Sequence, residues 1–143
     1  MTSNPARTTD RLTSFILYSV CVIFFFWTGA GLINYTVDSR FYSAALLNWK
    51  AALETFSAKS GAFPEFTGGN HVKYMEELLK RMRRAGIFGF VSSTGKPYIY
   101  HIDKIGFFKD AQDVFILCLK DRIILYGLSR QTFSRLDYFI DGV

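Results

Sequence analysis

The sequence predicts an α+β fold in which one long N-terminal helix packs on a small antiparallel sheet, with a second helix and a short C-terminal helix. Three observations lead to this prediction. Residues 12–37 carry no charged side chain. Apolar side chains then recur every three or four residues from residue 40 to residue 60, which is typical of an amphipathic helix. Short apolar segments separated by turn signals follow from residue 87, as expected of strands.

Composition restricts the class of protein before any motif is considered. The chain has 143 residues, of which 50% are hydrophobic and 17% aromatic, so it is neither disordered nor of low complexity. The formal net charge of +5 permits an anionic partner but does not demand one. The two cysteines, Cys21 and Cys118, exclude a disulfide-rich scaffold and a four-cysteine zinc site.

Residues 12–37 are predicted to form a transmembrane helix. A helix of this length, at about 1.5 Å per residue, exceeds the ~30 Å of the hydrocarbon core. We expect lipid or helix packing at five positions: Phe15, Phe24, Phe25, Gly29 and Gly31. Two alternatives stay open at this point, a buried helix of a soluble protein and a secretory signal cleaved near the small residues 28–30.

The charges that flank this segment predict its orientation. The tail, residues 1–11, carries Arg7 and Arg11 against Asp10, whereas Asp38 and Arg40 follow the apolar run. Positive charge is retained on the cytoplasmic side of a membrane. The prediction is therefore a single-pass protein of the inner (plasma) membrane, with a cytoplasmic N-terminus and residues 38–143 as a periplasmic or extracellular domain.

The amphipathic half is predicted to continue the same helix. No proline separates the two halves, and Gly61 and Pro64 supply the stop signals, so one helix of roughly 45 residues is expected. Its apolar stripe should face the domain, with Trp49 and Phe56 packed against a sheet that contains Phe115 and Leu117. The stripe consists of Tyr42, Ala45, Leu46, Trp49, Ala52, Leu53 and Phe56.

A second helix is predicted over residues 71–85, capped by Asn70. Its buried face should contain Val72, Met75, Leu78, Leu79 and Met82. Basic side chains crowd its C-terminal turns, where they favour the helix dipole. These side chains are Lys80, Arg81, Arg83 and Arg84. They form either a solvated face or a contact surface for a polyanion or for lipid head groups.

Strands are predicted at residues 87–91 and 98–102, and a hairpin at residues 113–119 and 123–128 with a turn at residues 120–122. Ser129 should cap a last helix that reaches about residue 140 and is closed by Gly142. The buried face of that helix is predicted to contain Phe133, Leu136 and Ile140.

The candidate catalytic and metal-binding motifs in the sequence are incomplete. Gly95-Lys96 resembles part of a phosphate-binding loop, but Pro97 replaces the required Ser or Thr. His101 and Asp103 share one face of a predicted strand, and two ligands do not make a metal site. The sequence therefore predicts no enzyme, no cofactor and no metal. It identifies no small-molecule substrate, and no nucleic acid is expected as a partner.

A family resemblance rests on the long helix and on the segment that ends it. Residues 51–64, Ala-Ala-Leu-Glu-Thr-Phe-Ser-Ala-Lys-Ser-Gly-Ala-Phe-Pro, are similar to the helix-to-loop turn of type IV pilins and type II secretion pseudopilins. The resemblance implies an antiparallel sheet wrapped on the helix and a structural role. Two family features are missing: no Gly precedes the apolar run, and the run contains no Glu.

The resemblance implies one function, and the residues leave a second one open. The first is a membrane-anchored pilin-like structural or assembly subunit of a secretion or type IV pilus machine, which acts through helix packing and contacts with lipid and other envelope proteins. The second is a membrane-anchored accessory or sensory domain that binds a partner or ligand outside the membrane; a polar pocket beside the sheet would favour it.

Overall fold

A computed structural model describes residues 5–59, 61–90, 92, 94–106 and 111–142, with side chains from residue 9 onward. The elements are helix α1 (Pro5–Arg40), a π-helical segment (Phe41–Leu46), α2 (Leu47–Ala58), α3 (His71–Arg84), strands β1 (Ile99–Ile102), β2 (Gln112–Cys118) and β3 (Ile123–Tyr126), and α4 (Arg130–Asp141). The predicted α+β architecture is confirmed, including the single long helix, which runs without a break over Thr9–Ala58.

The π-helical segment keeps one face of the long helix turned towards the domain. Buried side chains recur every four residues, at Phe41, Ala45, Trp49 and Leu53. In a regular α-helix each such step rotates the side chain by about 40° beyond a full turn. The wider turns of the π segment absorb this drift, because π-helical hydrogen bonds span five residues instead of four.

The sheet has the strand order β1-β2-β3, and both pairings are antiparallel. Ile99 lies opposite Phe115, and Phe115 lies opposite Tyr126. The predicted hairpin is confirmed: the N–H of Leu119 donates to the carbonyl of Arg122 at 2.8 Å and closes the turn. The sheet packs on the long helix and α3, so the core lies between these layers.

Aromatic side chains of the long helix anchor this core. Trp49 is 1% exposed and stacks on Phe90 with 4.3 Å between ring centroids. Phe56 packs edge-to-face on Phe63 at 5.2 Å. Both belong to one buried cluster with Leu117, and Phe115 is partly buried against that cluster.

The predicted strand at residues 87–91 is wrong for residues 87–90, and residue 91 lies outside the described residues. Ile87 instead closes the end of α3, with its N–H donating to the carbonyl of Met82 at 2.9 Å. Gly86 and Gly89 have φ angles of 76° and 90°, values that an extended strand does not contain. The alternation of apolar residues therefore reflects an irregular segment that inserts Ile87 and Phe90 into the core.

Two details of α3 differ from prediction. The side chain of Asn70 makes no hydrogen bond that caps α3. Its Oδ1 instead accepts from the N–H of Thr67 at 3.0 Å and organises the preceding loop. Val72 is exposed, and Tyr74 takes the buried position instead. The helix is therefore rotated relative to the expected face, although Met75, Leu78, Leu79 and Met82 are buried as predicted.

The C-terminal helix has the predicted ends and a different buried face. The hydroxyl of Ser129 accepts from the N–H of Thr132 at 3.3 Å, and Gly142 adopts the left-handed conformation that closes α4. Phe133 and Ile140 are exposed, against prediction, while Thr132 and Leu136 are buried. The cause is a polar contact of Thr132, described below, which an apolar pattern does not reveal.

Candidate membrane anchor and its buried polar junction

The first half of α1 extends away from the rest of the protein. From Thr9 to Thr28 nearly every side chain is exposed, including Phe15, Phe24 and Trp27, which is 79% exposed. Twenty helical residues span about 30 Å, the thickness of a hydrocarbon core. A contiguous apolar surface of this size is typical of a contact with a membrane or with another protein. This helix is therefore long and apolar enough to cross a membrane.

The polar side chains of this segment bond to their own helix. The hydroxyls of Thr13, Ser19 and Thr28 donate to the carbonyls four residues earlier at 3.0, 2.8 and 2.9 Å. A hydroxyl that is satisfied within its own helix needs no water, so these residues are compatible with a hydrocarbon environment.

Contact with the folded domain begins at Ala30, which is buried. One turn later the side chain of Asn34 makes two hydrogen bonds to the backbone of Ile105, beyond β1. Its Nδ2 donates to the carbonyl at 2.8 Å, and its Oδ1 accepts from the N–H at 2.9 Å. This paired amide contact ties the last turns of α1 to the segment that follows β1.

A buried ion pair lies one turn further along the same face. Asp38 is fully buried, and the ammonium nitrogen of Lys104 lies 2.8 Å from its Oδ1 and 2.9 Å from its Oδ2. The contact with Oδ1 is an ion pair without hydrogen-bond geometry, whereas Oδ2 accepts a hydrogen bond. Lys104 also donates to the hydroxyl of Thr132 at 2.6 Å.

Arg135 of α4 completes this group, which we call the junction cluster (Asp38, Lys104, Thr132 and Arg135). Its Nη1 donates to Oδ2 of Asp38 at 2.8 Å, and its side chain is 22% exposed. Buried charges are tolerated only when they are paired and hydrogen-bonded. The junction cluster therefore fixes α1, the segment after β1, and α4 in one arrangement at the point where the long helix enters the domain.

Sequence reasoning identified Asp38 only as a charge that ends the apolar run. Its partners are 66 and 97 residues away along the chain. No local spacing indicates such pairing. The one available signal is that Lys104 lies two residues after the end of β1 and before the apolar Ile105, where a charged side chain needs a partner.

The basic residues of α3 do not form one uniform surface. Arg81 turns away from the others, because its guanidinium bonds to Glu77 at 3.1 Å and to the carbonyl of Ala62 at 2.8 Å. The other three contribute to an open groove of about 560 Å³, which also takes in residues 95–98. We call it the basic groove; its charged side chains are Lys80, Arg83, Arg84, Lys96 and Glu76.

A second groove, of about 640 Å³, lies between α2 and the turn of the β2–β3 hairpin. Its charges are mixed: Lys50 and Glu54 come from α2, and the hairpin contributes Lys120, Asp121 and Arg122. Asp121 and Arg122 pair with each other at 2.7 Å. We call this the hairpin groove.

His101 and the buried Cys118 lie outside the junction cluster and the two grooves. Nδ1 of His101 lies 2.7 Å from a carboxylate oxygen of Asp113, and this contact raises the pKa of His101. Asp103 is 3.9 Å from the other ring nitrogen. Within the described residues no three His, Cys, Asp or Glu side chains converge as a metal site would require. Burial raises the pKa of the Cys118 thiol, so that thiol stays protonated.

Comparison with known protein families, characterised proteins and solved structures gives no match to this chain. The fold itself defines an α+β domain whose longest helix continues into an exposed apolar segment.

Proposed function

We propose that the protein is a single-pass membrane protein that acts as a pilin-like structural or assembly subunit of a cell-envelope machine. The observation that carries the proposal is the division of one continuous helix into two environments. Residues 9–28 expose apolar side chains over about the thickness of a hydrocarbon core, and residues 41–56 bury one face against a folded domain. Such a helix transmits position and force between a membrane and whatever the domain contacts.

Side-by-side packing of such helices is the mechanism of assembly in this proposal. Gly29 and Gly31 lie on different sides of the helix, and each leaves room for a neighbour, because a Cβ added at either position would meet no other atom within 4 Å. Their surfaces are open to a neighbouring helix, and small residues allow helix backbones to approach closely in lipid. The buried junction cluster supports the same role, since it holds the domain at a defined angle to its anchor.

The alternative function is a membrane-anchored accessory or sensory domain, and the hairpin groove favours it. This groove lies beside the sheet and is lined by polar and charged groups from two elements. Its volume of about 640 Å³ lies within the usual range of ligand sites, roughly 300–1,000 Å³. Both functions require the anchor, so its topology is the first property to test.

A reporter that is active only outside the cytoplasm, fused after Val143, is expected to be active, because the basic residues Arg7 and Arg11 precede the apolar run. The protein should also remain in the membrane pellet after alkaline carbonate extraction. The matched control reverses the flanking charge: Arg7→Glu with Arg11→Glu should lower the reporter signal at equal protein level. A stable fusion that is silent, or release of the protein by carbonate, contradicts the proposal.

The mature protein is expected to retain Arg7 and Arg11. A prepilin peptidase cuts after a small residue at the membrane boundary, where this chain has Thr13 and Ser14, and the span lacks the Glu that assists assembly in the family it resembles. An intact-mass measurement on protein from its native membrane tests this expectation. Loss of about 12 to 14 residues would indicate pilin processing, and a new N-terminus near residue 31 would indicate a cleaved signal peptide.

A further inference from the structure

The basic groove combines four cations, none of which forms an ion pair in the described part of the chain, and one acidic residue, Glu76, which lies one helical turn before Lys80. Lys80 and Arg84 are four residues apart on α3, a spacing at which like charges repel. Lys96 approaches from the opposite wall and lies 5.8 Å above the ring of Tyr98. The described ion pairs include none of these residues. Favourable interaction with the end of the helix dipole accounts for the charges on α3, but not for Lys96, which is on a separate loop.

The single acidic residue of the groove is already engaged. The hydroxyl of Tyr98 donates to a carboxylate oxygen of Glu76 at 3.1 Å; burial, together with this contact, raises the pKa of Tyr98. Glu76 therefore holds the wall of the groove together and keeps its negative charge, so the charged side chains of the groove carry a net charge of +3. Apolar atoms of Leu79, Pro97 and Tyr98 line the same groove. The surface is thus a strip of positive charge beside an apolar wall.

If α1 is a membrane anchor, as proposed above, the groove lies too far from that bilayer for its lipid head groups to be the ligand. The ammonium group of Lys59 donates to the carbonyl of Ala85 at 2.9 Å, which places the end of α3 beside the end of the long helix. From Ala30 to Lys59 the helix rises about 44 Å. The C-terminal end of α3 therefore lies some 30 Å or more along the long helix from the last lipid-exposed turn, several times the ~8 Å Debye length.

From this geometry we propose that the basic groove is a docking site for an acidic peptide segment of a partner protein. Carboxylates of the segment would pair with Lys80, Arg83, Arg84 and Lys96, and an apolar side chain would lie against Leu79 and Tyr98. Charge complementarity selects an acidic partner, and the apolar wall favours a peptide over a simple polyanion. The volume of about 560 Å³ is sufficient for a few side chains of an extended segment.

The test measures binding of a fluorescein-labelled peptide, glutamates around a central phenylalanine, to the full chain in nanodiscs of neutral lipid. Fluorescence anisotropy should show saturable binding that weakens with salt. Reversing two groove charges, Arg83→Glu with Lys96→Glu, should weaken binding by about tenfold or more. The matched control, Lys73→Glu with Arg130→Glu, makes the same change in net charge at exposed positions outside the groove and should change binding by less than about threefold.

Further variants, ligands and lipids test the same proposal. The neutral pair Arg83→Gln with Lys96→Gln should give an intermediate loss, and a peptide with glutamine in place of glutamate should not bind. Equal loss in the groove and control variants overturns the site. Tighter binding of inorganic polyphosphate through the same residues overturns the peptide assignment. Loss of peptide binding in nanodiscs of anionic lipid means that lipid head groups reach the groove, which also overturns it. Carbonate extraction tests the anchor separately.

Discussion

Replacing Lys104 by methionine is expected to be among the most destabilising single changes in this protein. The change removes the ammonium that contacts both oxygens of the buried Asp38 carboxylate. Arg135 is then the one charged partner of that carboxylate among the described residues. Breaking a buried ion pair typically costs about 3–5 kcal/mol. The total stability of a domain is only about 5–15 kcal/mol. Thermal unfolding of the full chain in detergent micelles, followed by near-UV circular dichroism, should show a large fall in melting temperature.

A double-mutant cycle separates the ion pair from simple loss of packing. Asp38→Leu combined with Lys104→Met removes both charges, and well-packed apolar pairs often replace buried ion pairs without cost. The double variant should therefore be markedly more stable than Lys104→Met alone, since Arg135 is partly exposed and can reach water. Lys120→Met, at an exposed position, is the matched control and should have little effect. A double variant no more stable than the single one would show that the junction cluster is not a paired unit.

Trp49→Ala is the second change with a large expected effect. Trp49 is 1% exposed and stacks on Phe90, so its truncation leaves a large cavity between the long helix and the irregular segment after α3. Truncating a buried aromatic costs about 3–5 kcal/mol. For a chain of this size that corresponds to a fall in melting temperature of roughly 10 °C. The same unfolding measurement in micelles tests it.

Two matched variants show whether the effect comes from the core. Trp49→Phe should cost much less than Trp49→Ala, because it keeps most of the ring contact and removes an indole N–H that has no hydrogen-bond partner among the described residues. Trp27→Ala removes an exposed tryptophan from the first half of α1 and should leave unfolding of the domain unchanged. An unchanged melting temperature in Trp49→Ala would mean that this face of the helix is not part of the core.

Several elements were predictable because their signals are local. The apolar stripe of the long helix, the turn of the β2–β3 hairpin and the Ser129 cap of α4 each depend on residues a few positions apart. The candidate sites were predictable only in part. The basic run of α3 was visible, but the separation of Arg81 from the groove and the addition of Lys96 to it were not, since loops decide both.

The errors occurred where a polar contact or a backbone conformation overrides an apolar pattern. Residues 87–90 alternate like a strand, yet the positive φ of Gly89 turns the chain. Phe133 and Ile140 look like core residues of α4, yet Thr132 is buried in their place because its hydroxyl binds Lys104. An apolar periodicity counts side chains that avoid water, and it carries no information about which polar groups satisfy one another inside the protein.

The sequence by itself determined that a long uncharged helix continues into an amphipathic half and that a small α+β domain follows. These features depend on residues that are close together in the sequence: hydrophobic periodicity, glycine and proline stops, and turn residues. They can therefore be recognised without the tertiary structure. Only the tertiary structure decided how the two halves are joined. Asp38, Lys104 and Arg135 meet because burial of one carboxylate requires cations, and the fold brings those cations from distant segments to the place where the helix leaves its exposed region.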